Sequence, residues 1–330
     1  MLHEQEVRIN PYVVNSLYLV LIPIAVLMIV DLVVFSGYFK TRSPLTLEFV
    51  LWLNLFLNFP HIICSSLLLA DKKYLSFFKD KLLYLAIFGI FAVFILVAFD
   101  SAGLREAVTL FALIWTVKHV IGQQFSMTKI FLKRKENLTF KIWKSYGVFI
   151  SSSLFLCIYS RIYTNYFSYL KPFLNLFEQY SLYFTIPAIV LSAILLFQVR
   201  ESAGILSGKL MIVGNLCMVL VSCFLFSQDY FSLAVLGPRI IHDFSALYFY
   251  GAHSYNKKKV KKSGSFFDFI HRNQPIPLFF ASSLLGCGLM YFCQNIIFDL
   301  TIYHALSALH FYTESFFWKA DSPAREFLHF

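Results

Sequence analysis

The feature that most constrains this chain is a succession of apolar runs, several of them as long as the roughly 20 residues a helix needs to cross a bilayer core. They occupy residues 14–37, 47–70, 82–99, 105–129, 143–163, 180–199, 205–227, 231–254, 276–298 and 301–318. A soluble domain carries about 25% charged residues. Here 14% are charged, 58% are hydrophobic and the mean hydropathy is +0.68. In lipid each backbone N–H and C=O must be satisfied within the protein, which makes the α-helix the natural form for runs of this length. The expectation is an all-α fold: a polytopic transmembrane helical bundle of about ten spans, with residues 1–330 forming a single integral membrane domain. The first run is long and has polar flanks, so it reads as a first transmembrane helix and not as a cleavable signal. The loops are too short to fold by themselves.

The formal charge is +10. In a soluble protein that would suggest nucleic acid, but here the basic residues sit in short loops and report topology. Lys72, Lys73, Lys79 and Lys81 follow the second run. Lys129, Lys133, Arg134, Lys135, Lys141 and Lys144 follow the fourth, and Lys257 to Lys262 follow the eighth. The intervening loops around Ser101, Asn165, Asp229 and Asp299 are poor in Lys and Arg. Positive-inside logic then puts both termini in the cytoplasm, with no nucleic-acid partner and with membrane lipids as the surroundings. A multi-pass location in a bacterial inner (plasma) membrane is expected. Residues 164–178 are aromatic and suit an interfacial helix. The six cysteines lie inside apolar runs without metal-type spacing and read as small buried residues. Nothing in the sequence specifies an oligomeric state.

Polar groups within spans are costly and face the bundle interior, where they mark function. The second run holds Asn54, Asn58, Pro60 and His61, with Pro60 expected to kink it. The fourth holds Trp115, Lys118, His119, Gln123 and Gln124; the eighth holds Arg239, His242, Asp243 and His253. The tenth holds His304, His310, Tyr312 and Glu314. His61, His119, His242 and His310 each lie about 10 to 14 residues from the outer end of their span, which at 1.5 Å per residue is roughly 15–21 Å. Four histidines on four helices thus share one depth. His119 with Gln123, and His310 with Glu314, stand at i,i+4 on one helix face. His242 and His253 share a face but lie about 16 Å apart in rise, too far to ligate one ion.

Imidazoles with one or two carboxylates form a natural set for a transition metal. The expected site is a non-haem iron centre ligated by His61, His119, His242 and His310, with Glu314, Asp243 and Tyr312 as catalytic groups. Glu314 and Asp243 are also candidate carboxylate ligands. Asn58 and Gln123 would steady the ligand rings. A site at mid-membrane depth suits a hydrophobic small-molecule substrate that enters from the bilayer, such as an acyl chain, a sterol or a carotenoid, and an oxidative reaction upon it.

The segments "NFPHI", "KHVIGQQ", "HDFSALYFYGAH" and "HALSALHFYTESFFWK" place single histidines on several helices of a compact multi-spanning chain. In this layout the chain resembles the Brp/Blh-type membrane carotenoid dioxygenases, which cleave β-carotene to retinal. The resemblance implies iron-dependent cleavage of a polyene, with the in-membrane histidines as ligands. The HxxxH and HxxHH boxes of membrane desaturases and hydroxylases are missing from the sequence.

Three other classes compete. A b-type haem would use His119 and His242 facing one another across the bundle, though the small-residue clearing a porphyrin wants is missing. A lipid acyl- or glycosyl-type transferase would use one histidine as general base, with Asn58 or Lys118 orienting the transferred group. A proton-coupled transporter would relay protons through Asp31, Arg239, Asp243 and Glu314.

Overall fold

The computed structural model describes residues 7–38, 40, 57, 59–68, 71–98, 102–134, 136–161, 168–200, 206–260, 307, 310–316, 319 and 322–329. The described residues are helical, with no strand beyond a single Arg8–His329 bridge. The helices are α1 (Pro11–Val34), α2 (Phe59–Leu68), α3 (Lys72–Ala98), α4 (Ala102–Leu132), α5 (Leu138–Ser160), α6 (Lys171–Tyr180), α7 (Thr185–Gln198), α8 (Leu206–Ser227) and α9 (Phe231–Val260). Residues 310–316 are also helical.

Among the described residues, α1, α5 and α8 are long and apolar enough to cross a membrane. The pair α6 and α7, bent by 66°, makes a fourth if it counts as one span. Helices α4 and α9 are longer, but Lys118 interrupts the apolar run of one, and Arg239, His242 and Asp243 that of the other. The run 276–298, most of 301–318 and the first half of 47–70 lie outside the described residues, as do Asn54, Asn58, His271 and His304.

The chain forms two compact units. The first unit comprises Met1–Ile9, Trp52–Arg105 and Asp243–Phe330; the second comprises Asn10–Leu51 and Glu106–His242. The unit boundaries fall inside α4 and α9, between Arg105 and Glu106 and between His242 and Asp243.

In the second unit α7 packs on α5 and α8, and α1 packs on α8. Gly214 permits that last contact, because a Cβ there would stand 2.7 Å from the Tyr18 ring. Helix α5 starts where the Asn137 side chain accepts from the Phe140 N–H. At the end of α1, Asp31 is fully buried, and its Oδ2 accepts from the Tyr230 hydroxyl at 2.7 Å. Its carbonyl accepts from Phe35 and Gly37, and Gly37 adopts φ +78°. Asp31 thus organises the turn that ends α1.

In the first unit an apolar core of Cys64, Tyr74, Phe78, Leu247, Tyr250, Phe316 and Phe327 gathers α2, α3, α9 and the helical residues after 310. Asn256 ties both chain ends to α9. Its amide exchanges two hydrogen bonds of 2.8 Å with the Val7 backbone and donates a third, of 3.0 Å, to the Phe327 carbonyl. Lys73 pairs with Glu326 at 2.8 Å, and Lys257 pairs with Asp71. Burial works to raise the Asp71 carboxyl, but the hydrogen bond and charge of Lys257 prevail and hold it below the ordinary carboxylate range.

Candidate metal centre

Helix α2 opens with Phe59 and Pro60. Pro60 stands at the second helical position, where its missing N–H removes no helical bond. The next residue, His61, is fully buried. Its Nδ1 lies 3.1 Å from Asp243 Oδ1 on α9, and its Nε2 lies 3.1 Å from Glu314 Oε1. Glu314 shares a helix face with His310, whose Nε2 is 3.9 Å from Glu314 Oε2. The two imidazole rings meet edge to face at 4.4 Å, and the Tyr250 ring tilts against His61 at 5.7 Å. Every member of this cluster is buried, with Glu314 the most accessible at 6%.

The Ser65 hydroxyl lies 2.8 Å from the Ile62 carbonyl and 2.6 Å from His310 Nδ1. The His61 imidazole stands at hydrogen-bond distance from a carboxylate on each side, Asp243 at Nδ1 and Glu314 at Nε2. Ligand atoms of His61, His310 and Glu314 all lie within 4.8 Å of one another. Two buried carboxylates around one imidazole call for positive charge between them, which a proton on His61 or a metal ion would supply.

The residues present fit a metal ion. Donors each about 2.1 Å from a shared ion stand roughly 3.0–3.5 Å apart. The 3.1 Å separation lies within that range and the 3.9 Å one lies about 0.4 Å above it. Asp243 and Ser65 hold the far nitrogens, the outer arrangement that orients ligating imidazoles. The cluster of two histidines and a carboxylate could therefore hold a metal.

His119 and His242 belong to the second unit, where their rings meet edge to face at 5.2 Å. Two imidazoles on opposite faces of one haem iron have centroids roughly 6 Å apart, so this pair stands too close for a porphyrin between them. His253 is buried in the first unit, with its Nε2 at 3.0 Å from the Tyr74 hydroxyl and its ring against Phe327. Tyr312 packs on Phe316 in the apolar core. Gln123 is half-buried on α4. Its neighbour Gln124 instead joins a buried network. There Asn215 Nδ2 donates to Thr128 Oγ1 at 3.1 Å and to the Met211 carbonyl at 2.9 Å. The Tyr18 hydroxyl lies 3.0 Å from Asn215 Oδ1 and 3.4 Å from Gln124 Oε1.

The fold and site define a protein whose described residues are helical, with helices long and apolar enough to cross a membrane and a buried histidine–carboxylate cluster. Compared with protein families, with characterised proteins and with solved structures, the chain finds no match.

Proposed function

We propose that the chain is a membrane-embedded non-haem iron oxidoreductase acting on a hydrophobic, lipid-like substrate such as a carotenoid or acyl chain. The observation that carries this reading is the convergence of His61 Nε2, His310 Nε2 and the Glu314 carboxylate. Two histidines with one carboxylate and open positions are the ligand set of non-haem iron oxygenases. Bound there, iron supplies the site for dioxygen chemistry. Asp243 and Ser65, each at hydrogen-bond distance from an Nδ1 atom, would orient the rings of His61 and His310. Burial of the cluster keeps bulk water from the donors. In this reading the sequence pattern of ten spans holds, with both termini cytoplasmic, and substrate reaches the site from the bilayer.

The test is oxygen uptake by the full chain in lipid vesicles carrying β-carotene, after anaerobic loading with ferrous iron. Iron-dependent uptake with bleaching of the polyene supports the reading. A Soret band in the purified protein selects haem instead. Metal-free protein that turns over at the full rate overturns both.

A second reading rests on the same bonds. His61 bridges two carboxylates, Asp243 and Glu314, and a proton in place of a metal would also relieve the facing acceptors. That arrangement suits proton transfer through a transporter. It requires proton-coupled flux in vesicles without bound metal.

A further inference from the structure

Helix α6 (Lys171–Tyr180) and the elbow that joins it to α7 show three distinct environments around one short axis. Its inner side is docked on its own unit. Leu174 and Phe177 are buried, and Phe177 stacks on Phe184 at 5.1 Å. At 100° per residue, Lys171, Asn175 and Glu178 form a second sector. All three are exposed, and Glu178 pairs with Arg161. Pro172, Leu176 and Tyr180 form a third, about 120° from the polar one. This sector is also exposed, with Leu176 at 50%, and the exposed tyrosines Tyr169 and Tyr183 flank it at 90% and 67%.

A helix in water has no use for an exposed apolar stripe beside its docked one. A helix inside the hydrocarbon would bury Lys171, Asn175 and Glu178 at high cost. A helix lying in the membrane surface satisfies all three sectors. Tyrosine belongs at that level, because its ring is apolar and its hydroxyl is wet. The stripe also continues into α7, where Ile186, Val190, Ile194 and Phe197 form an exposed apolar face at i, i+4, i+8 and i+11. The 66° bend turns α6 away from the direction of α7, so its 10 residues add only about 6 Å along that axis.

We propose that α6 is an interfacial helix lying in the plane of the bilayer surface, its partner the lipid headgroup and upper acyl region. Leu176 and Tyr180 face lipid, while Asn175 and Glu178 face water. The elbow is then the level at which the protein meets the membrane surface, and α6 with α7 is not one broken span. The inference is independent of the metal reading.

The test places an environment-sensitive fluorescent residue genetically at position 175, 176 or 190 of the full chain in phosphatidylcholine vesicles. Position 190 on α7 reports insertion. Brominated lipid is expected to quench 176 at least about threefold more than 175, and aqueous iodide to do the reverse. Equal quenching of 175 and 176 by iodide, with 190 quenched by brominated lipid, would show a helix standing off in water and overturn the proposal. Equal quenching of both by brominated lipid would show a buried segment and overturn it as well. Iodide quenching at 190 would overturn it together with the membrane placement of α7.

Discussion

Two buried polar centres among the described residues are built on different principles. Around Asn215, in the second unit, hydroxyls and amides meet donor to acceptor. Asn215 gives its amide hydrogens to Thr128 and Met211, and its oxygen faces the Tyr18 hydroxyl. No ionisable carboxylate or imidazole enters these bonds. Around His61, in the first unit, two imidazoles and two carboxylates are packed together, with Asp243 and Glu314 on opposite nitrogens of His61 and Ser65 on Nδ1 of His310. The first centre is complete in itself and contributes about 0.5–1.5 kcal/mol per bond as helix-to-helix glue. The second gathers ionisable groups, and a proton on His61 or a metal ion would balance its two carboxylates. Both are buried in apolar surroundings, so burial alone does not mark function. The sign of what faces what does.

The comparison can be broken or sharpened by substitution. The largest effect is expected for His61→Ala, which removes a ligand and leaves Asp243 and Glu314 facing an empty space. Metal should be lost entirely and stability should fall by about 3–5 kcal/mol, read by metal analysis and thermal unfolding in detergent. Glu314→Gln should also lose the metal, yet keep stability within about 1 kcal/mol, because an amide can donate to or accept from His61 Nε2 as the ring requires. Unfolding of the metal-free variant checks this. Asp243→Asn weakens the hold on the His61 tautomer and should reduce metal affinity about 10–100-fold, measured by competition with a chelator. Asn215→Leu should leave metal content unchanged while lowering stability by about 1–3 kcal/mol, since Thr128 and Tyr18 lose a buried partner.

The smallest effect is at the surface of the first unit. The Asp71 carboxyl is held down by Lys257, so its folded value lies below the unfolded value of about 3.9. Its contribution is therefore present above that unfolded value and is lost as pH falls through the folded one. Hydrogen exchange near residues 71–74 and 253–257 should quicken only at pH values below about 4. Lys257→Met should erase that acid dependence.

The helical character was legible in the sequence because apolar runs of spanning length admit little else. The pair His310–Glu314 was legible too, since i,i+4 spacing on one helix is a local property. His61 and Asp243 were legible as polar residues inside apolar runs. Their roles were not. The sequence marks Asp243 as a carboxylate within a span, and the structure adds its contact with His61 Nδ1. Ser65 was missed because its partner lies 245 residues away and a serine in an apolar helix carries no signal. Shared depth is a one-dimensional coordinate and says nothing of direction around each helix; His119 and His242 belong to the second unit, where their rings meet. The network of Gln124 with Tyr18 and Asn215 is not legible in the sequence, because spacing within one helix does not show which side the neighbours occupy.

The most direct measurement is the metal content of the purified full chain, taken side by side for the wild type, Glu314→Gln and Asn215→Leu after loading with ferrous iron and removal of free metal. The predicted result is near-stoichiometric iron in the wild type and in Asn215→Leu, and none in Glu314→Gln at equal fold stability. Iron retained by Glu314→Gln, or lost equally from both variants, would contradict a centre built on His61, His310 and Glu314.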